Sequence, residues 1–225
     1  MNSSIAKTLD EQEDDTHDCH SNFNINTPLR EDAFDLNNNE KIDKIAHHFH
    51  EIMYTLGLDL TDLSLKDTPK RVAKMYVNEI FKGLDQRNKP SISLFENNYH
   101  YEQILLERNI TIYSYCEHHF VPIIGKAHIA YIPNKHVIGL SKLNRIAQYF
   151  SKRPQVQERL TEQIAHELKK ILHTQDVAVV LEADHLCVSS RGIGDTSSDT
   201  VTYHLSGKFK NENKKLELFS LINKK

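Results

Sequence analysis

The chain predicts a mixed α+β fold, with helices and antiparallel strands in separate runs. Three observations carry that reading. Apolar residues repeat at helical spacing early in the chain and then change to alternation. The elements run as helices, two strands, two helices, two strands. That order lacks the strict strand–helix alternation of a parallel sheet, so antiparallel pairing is favoured.

The first helix is expected over residues 40–56, where Ile42, Ile45, Phe49, Ile52, Met53 and Leu56 share one face and Gly57 ends the run. His47, His48 and His50 belong to its polar side. A second helix is expected from Thr68-Pro69, because threonine caps and proline suits the first helical position. Val72, Met75, Tyr76 and Ile80 form its stripe, and Gly83 is its expected stop. The period then becomes two. Ile110, Ile112, Ser114 and Cys116 fall on one strand face, with Thr111, Tyr113 and Tyr115 on the other. A second strand is expected over residues 123–132. Two helices follow, one capped by Ser141 and one opened by Pro154 with the stripe Val156, Leu160, Ile164, Leu168 and Ile171. A third strand over residues 177–188 would put His185 and Cys187 on one face, and a fourth covers residues 200–209.

A chain of 225 residues that is 39% hydrophobic can build one large core. Residues 1–38 stand apart from it as an acidic arm. Through residue 40, ten acids face only Lys7 and Arg30, and the few apolar residues show no period, so disorder is expected there. His17, Cys19 and His20 lie in this arm with nothing nearby to fix a metal geometry. The net charge of −3 argues against a nucleic-acid partner. No apolar run is long enough to span a membrane, and residues 1–10 lack the apolar stretch of a signal peptide. Three cysteines do not make a disulfide framework, and a cytoplasmic setting is expected.

Two of those cysteines fall in short runs rich in histidine, Cys116-Glu117-His118-His119 and His185-Leu186-Cys187. Cys116, His119 and Cys187 would make a Cys2His metal set. Three protein ligands leave a fourth tetrahedral position for water, the arrangement of catalytic rather than structural zinc. His118 and His185 remain beside the metal as proton carriers. Cys116 and His119 are three apart and would face opposite ways in a continuous strand, so the strand must turn at Glu117-His118. A Cys116–Cys187 disulfide is the alternative, and it leaves the histidines unexplained.

Other groups suit an anion. Ser141 at a helix start offers free backbone N–H groups, with Lys142 and Arg145 close by. Arg71 and Lys74 form a similar pair, and Arg191 follows the second cysteine. Several such groups beside one zinc point to a polyphosphate substrate. Gln157 and Glu158 have the donors and acceptors to read a guanine edge, although spacing alone makes them an ordinary first helical turn.

The runs Ser114–Phe120, Gly139–Arg145, Arg153–Leu160 and His185–Cys187, with Asp67–Met75, closely resemble the GTP cyclohydrolase I family. The resemblance runs from about Lys41 to Phe209. It implies a tunnelling fold (T-fold), with a four-stranded antiparallel sheet, two helices inserted between strands 2 and 3, and a helical region ahead. It also implies a homodecamer with active sites between subunits. GTP would be converted with water to 7,8-dihydroneopterin triphosphate and formate, the first step of pterin and folate biosynthesis. Cys116, His119 and Cys187 match the zinc ligands, and His118 and His185 the acid–base pair, with His185 protonating N7. Glu158 and Gln157 match the guanine readers, and Ser141 a substrate contact. Arg71, Lys74, Lys142, Arg145 and Arg191 match triphosphate contacts. Ser190 and Gly194 depart from the family pattern, in which bulkier or basic residues are usual, and this removes positive charge near the phosphates. Two other readings fit the motifs: another T-fold enzyme such as a nitrile reductase, or a non-catalytic zinc-stabilised assembly protein.

Overall fold

The computed structural model of the chain describes residues 25–224. Helix α1 spans Asn38–Thr55. Asn37 caps it, accepting from the N–H groups of Asn39 and Glu40, while the Glu40 side chain returns to the Asn37 N–H. Gly57, at φ 84°, takes the chain away in the left-handed conformation expected of a helix stop. Helix α2 (Thr68–Met75) runs into a π-helical turn at Tyr76–Ile80. Thr68 is its first residue and not its cap; Asp67 holds that place. Gly83 does not end it through a positive φ. Its N–H bonds the Lys152 carbonyl at 2.8 Å, and an added Cβ would lie 2.1 Å from the Tyr149 carbonyl oxygen.

The body is a five-stranded sheet. Its strands are β2 (Leu105–Cys116), β3 (Pro122–Tyr131), β5 (Pro154–Gln155), β6 (Val177–His185) and β7 (Thr200–Leu205), in the order β5-β2-β3-β6-β7. The four long strands pair antiparallel, and the two-residue β5 joins β2 in parallel. A separate ribbon pairs β1 (Leu94–Glu96) with β4 (His136–Ile138). Helices α3 (Leu140–Ser151) and α4 (Gln157–Leu172) lie between β3 and β6 in the chain. They bury Leu143, Ile146, Leu160, Ile164 and Leu168 against Ile110, Ile112, Ile129, Val179 and Leu181 on one sheet face. Each such side chain, fully buried, contributes about 1.5–3 kcal/mol relative to exposure. The alternate residues Ala130, Ile132, Ala178 and Val180 face the other way, where Phe209 and helix α6 (Glu212–Asn223) cover them with Leu218 and Ile222.

Three expectations are corrected. Pro154 forms β5, and α4 begins at Gln157, because Pro154 and Gln155 pair with Tyr115 and Cys116. Ser141 lies inside α3, whose cap is Gly139. The third strand stops at His185, and Leu186–Ser189 form the short helix α5, so Cys187 is not a strand residue. Helix α6 and the β1–β4 ribbon were not foreseen. Within the expected arm, residues 25–37 are laid on the body, while His17, Cys19 and His20 lie outside the described residues.

Candidate active site

Strand β2 ends at Cys116, and the chain reverses there. The Phe120 N–H returns to the Cys116 carbonyl at 2.8 Å, and the Cys116 N–H bonds the Val121 carbonyl at 2.9 Å. Phe120 takes φ 55° to complete the turn. This local reversal is what the three-residue spacing required, and it turns His119 back towards Cys116. Across the sheet, β3 separates β2 from β6, and α5 swings Cys187 over the end of β3. The candidate ligand atoms of Cys116, His119 and Cys187 all lie within 4.8 Å of one another.

This donor set fits a borderline-soft divalent ion such as zinc, which takes thiolate and imidazole together. Both thiols are free, so no disulfide joins them. Burial pushes the Cys187 thiol up, and the nearby Cys116 pushes it further in the same direction. A cation between the two sulfurs reverses that preference, since coordination deprotonates a thiol. Arg191 donates from Nη1 to Nε2 of His119 at 2.7 Å. A guanidinium has only donors, so Nε2 of His119 is the acceptor in this contact.

His118 is exposed, with Nδ1 3.7 Å from the Cys116 sulfur. His185 is half-buried at the end of β6, and Nε2 lies 2.8 Å from Oε1 of Gln157. An amide oxygen only accepts, so Nε2 carries the proton. Burial holds the His185 pKa below the ordinary histidine value, against the opposing pull of Glu158 and Asp184. Gln157 is itself buried, and its Nε2 donates to the carbonyls of Leu181 and Thr200 at 3.2 and 2.9 Å. Its amide, expected to read a guanine edge, is thus engaged inside the protein. Glu158, the next residue, is exposed and lines a cleft with Thr161, Val201 and Tyr203.

Among the predicted cations, Arg191 touches the cluster through His119. Arg71 pairs with Asp67 at 3.7 Å, and Lys142 donates to the Ser91 carbonyl at 3.2 Å. Arg145 lines a separate cleft with Lys82 and Lys152, and Lys74 is exposed on α2. Ser141 is exposed at the start of α3. One contact was missed from the sequence. Arg159, in the first turn of α4, makes two hydrogen bonds to Glu117, which lies between Cys116 and His118. Residue types gave no signal for it, because the partners are 42 apart in the chain.

A family model described as GTP cyclohydrolase I matches residues 45–223. The chain belongs to the GTP cyclohydrolase I family. It is 57% identical over 209 residues to GTP cyclohydrolase 1 of Flavobacterium johnsoniae, covering 93% of this chain and 94% of that protein. The GTP cyclohydrolase 1 of Aeromonas salmonicida is 53% identical over 188 residues, with 84% of this chain and 85% of that protein covered. The protein of the same name from Buchnera aphidicola is 50% identical over 188 residues, covering 84% and 86%. The match to this family spans α2, the sheet, both helices between β3 and β6, and every residue of the Cys–His–Cys cluster.

Proposed function

We propose that the chain is a zinc-dependent GTP cyclohydrolase I, which opens the guanine imidazole ring of GTP with water and yields formate and 7,8-dihydroneopterin triphosphate. The convergence of Cys116, His119 and Cys187 beside an oriented His185 carries this reading. Zinc, when bound by these three residues, supplies Lewis acidity and water with a pKa near about 7.

The chain's own residues do the rest. Gln157 fixes the Nε2–H of His185, which leaves Nδ1 to take up and deliver the proton at N7 of the purine. The lowered pKa of His185 makes it a willing proton donor once charged. His118, open to solvent, exchanges protons between the site and water. Glu158 accepts from the guanine N–H and NH2 groups. Gln157 acts with it by holding His185 and the start of α4. Lys142, Arg145, Arg191, Arg71 and Lys74 take the triphosphate, and Ser141 contacts the substrate.

These substrate-binding residues come from several elements, which supports a homodecamer with the active site shared between subunits. The sheet also leaves both flanks open among the described residues. The outer edge of β7 is unpaired, and β2 is paired on its outer side only at Tyr115 and Cys116. Long bare edges call for pairing with further strands, as in a barrel closed by several T-fold subunits. Residues 1–38 form the acidic arm of this assembly and residues 39–225 its catalytic domain. No helix among the described residues is long and apolar enough to cross a membrane, in keeping with a cytoplasmic enzyme at the start of pterin and folate synthesis.

Turnover of GTP, followed by the near-ultraviolet absorbance of the product, tests the proposal. The signal is expected to vanish on chelation and return with zinc. Correctly assembled, zinc-loaded protein that leaves GTP unchanged would overturn it.

A further inference from the structure

Two buried glutamines stand behind the metal-site turn, and neither belongs to the proposed catalytic machinery. Gln155 is fully buried in β5, in parallel register with Cys116, and its carbonyl accepts the Glu117 N–H at 3.0 Å. Its side-chain Nε2 donates to the Phe150 carbonyl at 2.9 Å and to Oε1 of Gln163 at 2.8 Å. Gln163, 5% exposed on α4, donates in turn to the Ile25 carbonyl at 2.7 Å and to Oγ1 of Thr27 at 3.3 Å. Arg153 reaches the same hydroxyl at 3.3 Å and holds the Gly83 carbonyl at 2.8 Å. An unbroken hydrogen-bond chain therefore runs from the backbone at Ile25 to the backbone at Glu117.

The Gln155 Nε2 is bonded to two acceptors while its buried Oε1 has no hydrogen-bond partner among the described residues, so the Nε2 contacts to Phe150 and Gln163 are what hold the relay together. One end is the first described stretch of the acidic arm, residues 25–27. The other is the turn that carries Cys116 and His119.

We propose that Gln155 and Gln163 are positioning residues that couple the segment at Ile25–Thr27 to the geometry of the metal-binding turn. They act through the backbone of Glu117 and touch neither metal nor substrate. The arm is thereby mechanically connected to the site, and residues 25–27 are a working part of the enzyme. This rests on the metal-holding role of Cys116, His119 and Cys187.

The test uses the full-length chain with Gln163→Met, which keeps length and volume but removes the donor and acceptor, and with the milder Thr27→Val. Zinc affinity is read by competition with a chromogenic chelator, and amide hydrogen exchange is read at Glu117. For Gln163→Met we expect zinc binding about tenfold weaker, in the range found for partners that orient metal ligands. Glu117 exchange should be faster and kcat lower, with KM for GTP unchanged. Thr27→Val should move the same three quantities in the same direction by less. A lower melting temperature with zinc affinity and Glu117 exchange both at parental values would show packing alone and overturn the coupling. If Gln163→Met does not fold, unchanged zinc affinity and exchange in Thr27→Val overturn it instead. Parental protein that binds no zinc refutes the metal-site proposal, and the exchange at Glu117 then decides the coupling by itself.

Discussion

Removing Arg159 should cost more than removing most surface cations, because its charge is nearly enclosed. The guanidinium is 13% exposed and the Glu117 carboxylate 24%, and two hydrogen bonds join them, one of them at 3.2 Å. Exposed ion pairs contribute about 0–1 kcal/mol, whereas stripping one partner from a fully buried pair costs about 3–5 kcal/mol. This pair lies between those limits and nearer the second, so Arg159→Met is expected to lose about 2–3 kcal/mol. Most of that is the penalty of leaving the Glu117 carboxylate unpaired beside Cys116. Glu117→Leu should cost a similar amount for the mirror reason. The double variant removes both charges and should recover at least half of the summed loss. Urea unfolding at fixed protomer concentration measures it, since assembly makes stability depend on concentration. With a slope of about 2–3 kcal/mol per molar, the midpoint of each single variant should fall by about 1 M. Strictly additive losses in the double variant would refute the pairing as the source of the cost.

Other perturbations address separate links. His185→Ala should lower kcat by at least about 100-fold, the usual worth of a positioned proton donor, while bound zinc measured by elemental analysis stays at the parental level. Loss of zinc in that variant would instead make His185 a ligand. His128 lies buried on β3 with neither ring nitrogen hydrogen-bonded; burial, with Lys126 and Arg108, holds its pKa below 6.5 against the pull of Glu182. The unfolded chain then binds a proton more readily than the folded one. The stability owed to the neutral ring is complete above pH 6.5 and is lost as the pH falls from there through the folded value. His128→Leu should flatten the decline in melting temperature between pH 7.5 and pH 5.5, and an unchanged slope would contradict this. Gly125→Ala places a Cβ 2.1 Å from the Glu182 carbonyl oxygen and 2.5 Å from the Ala183 Cβ. Overpacking of that kind costs about 1–3 kcal/mol, so melting should fall by about 5 °C in a calorimeter.

Much of the sheet was legible because its physics is local. Alternation in Ile110, Ile112, Ser114 and Cys116 reports one buried face, and the structure buries all four. The turn after Cys116 was deducible because two ligands three apart cannot share a strand face. Elements whose cause lies elsewhere in the chain were hidden. Pro154 reads as a helix opener until Tyr115 is beside it and claims it for a strand. Cys187 continues an apolar alternation from Val177, yet the strand ends at His185, where the chain turns into α5. Helix α6 had a signal that went unused. Asn211 caps it by accepting from Asn213 and Lys214, and Leu218 and Ile222 repeat at helical spacing. The role of Gln157 was illegible for a different reason. Only the fold shows that its amide faces Leu181, Thr200 and His185.

The Cys–His–Cys cluster occupies a small apolar group of its own, with Ile123, Ala183 and the two cysteines, at one end of the sheet. The two large cores, beneath α3 and α4 and beneath α6, share none of these residues. Its candidate ligands also come from the end of β2, the turn after it and α5 beyond β6, so they meet only after β3 has been placed between β2 and β6. In a zinc finger the ion and the fold arrive together. Here the two large cores contain none of the candidate ligands, so a zinc ion held as proposed is expected to be dispensable for folding. Under the proposed function, metal-stripped protein should then stay folded and regain activity when zinc is returned, so that metal supply and not folding would set the number of working sites.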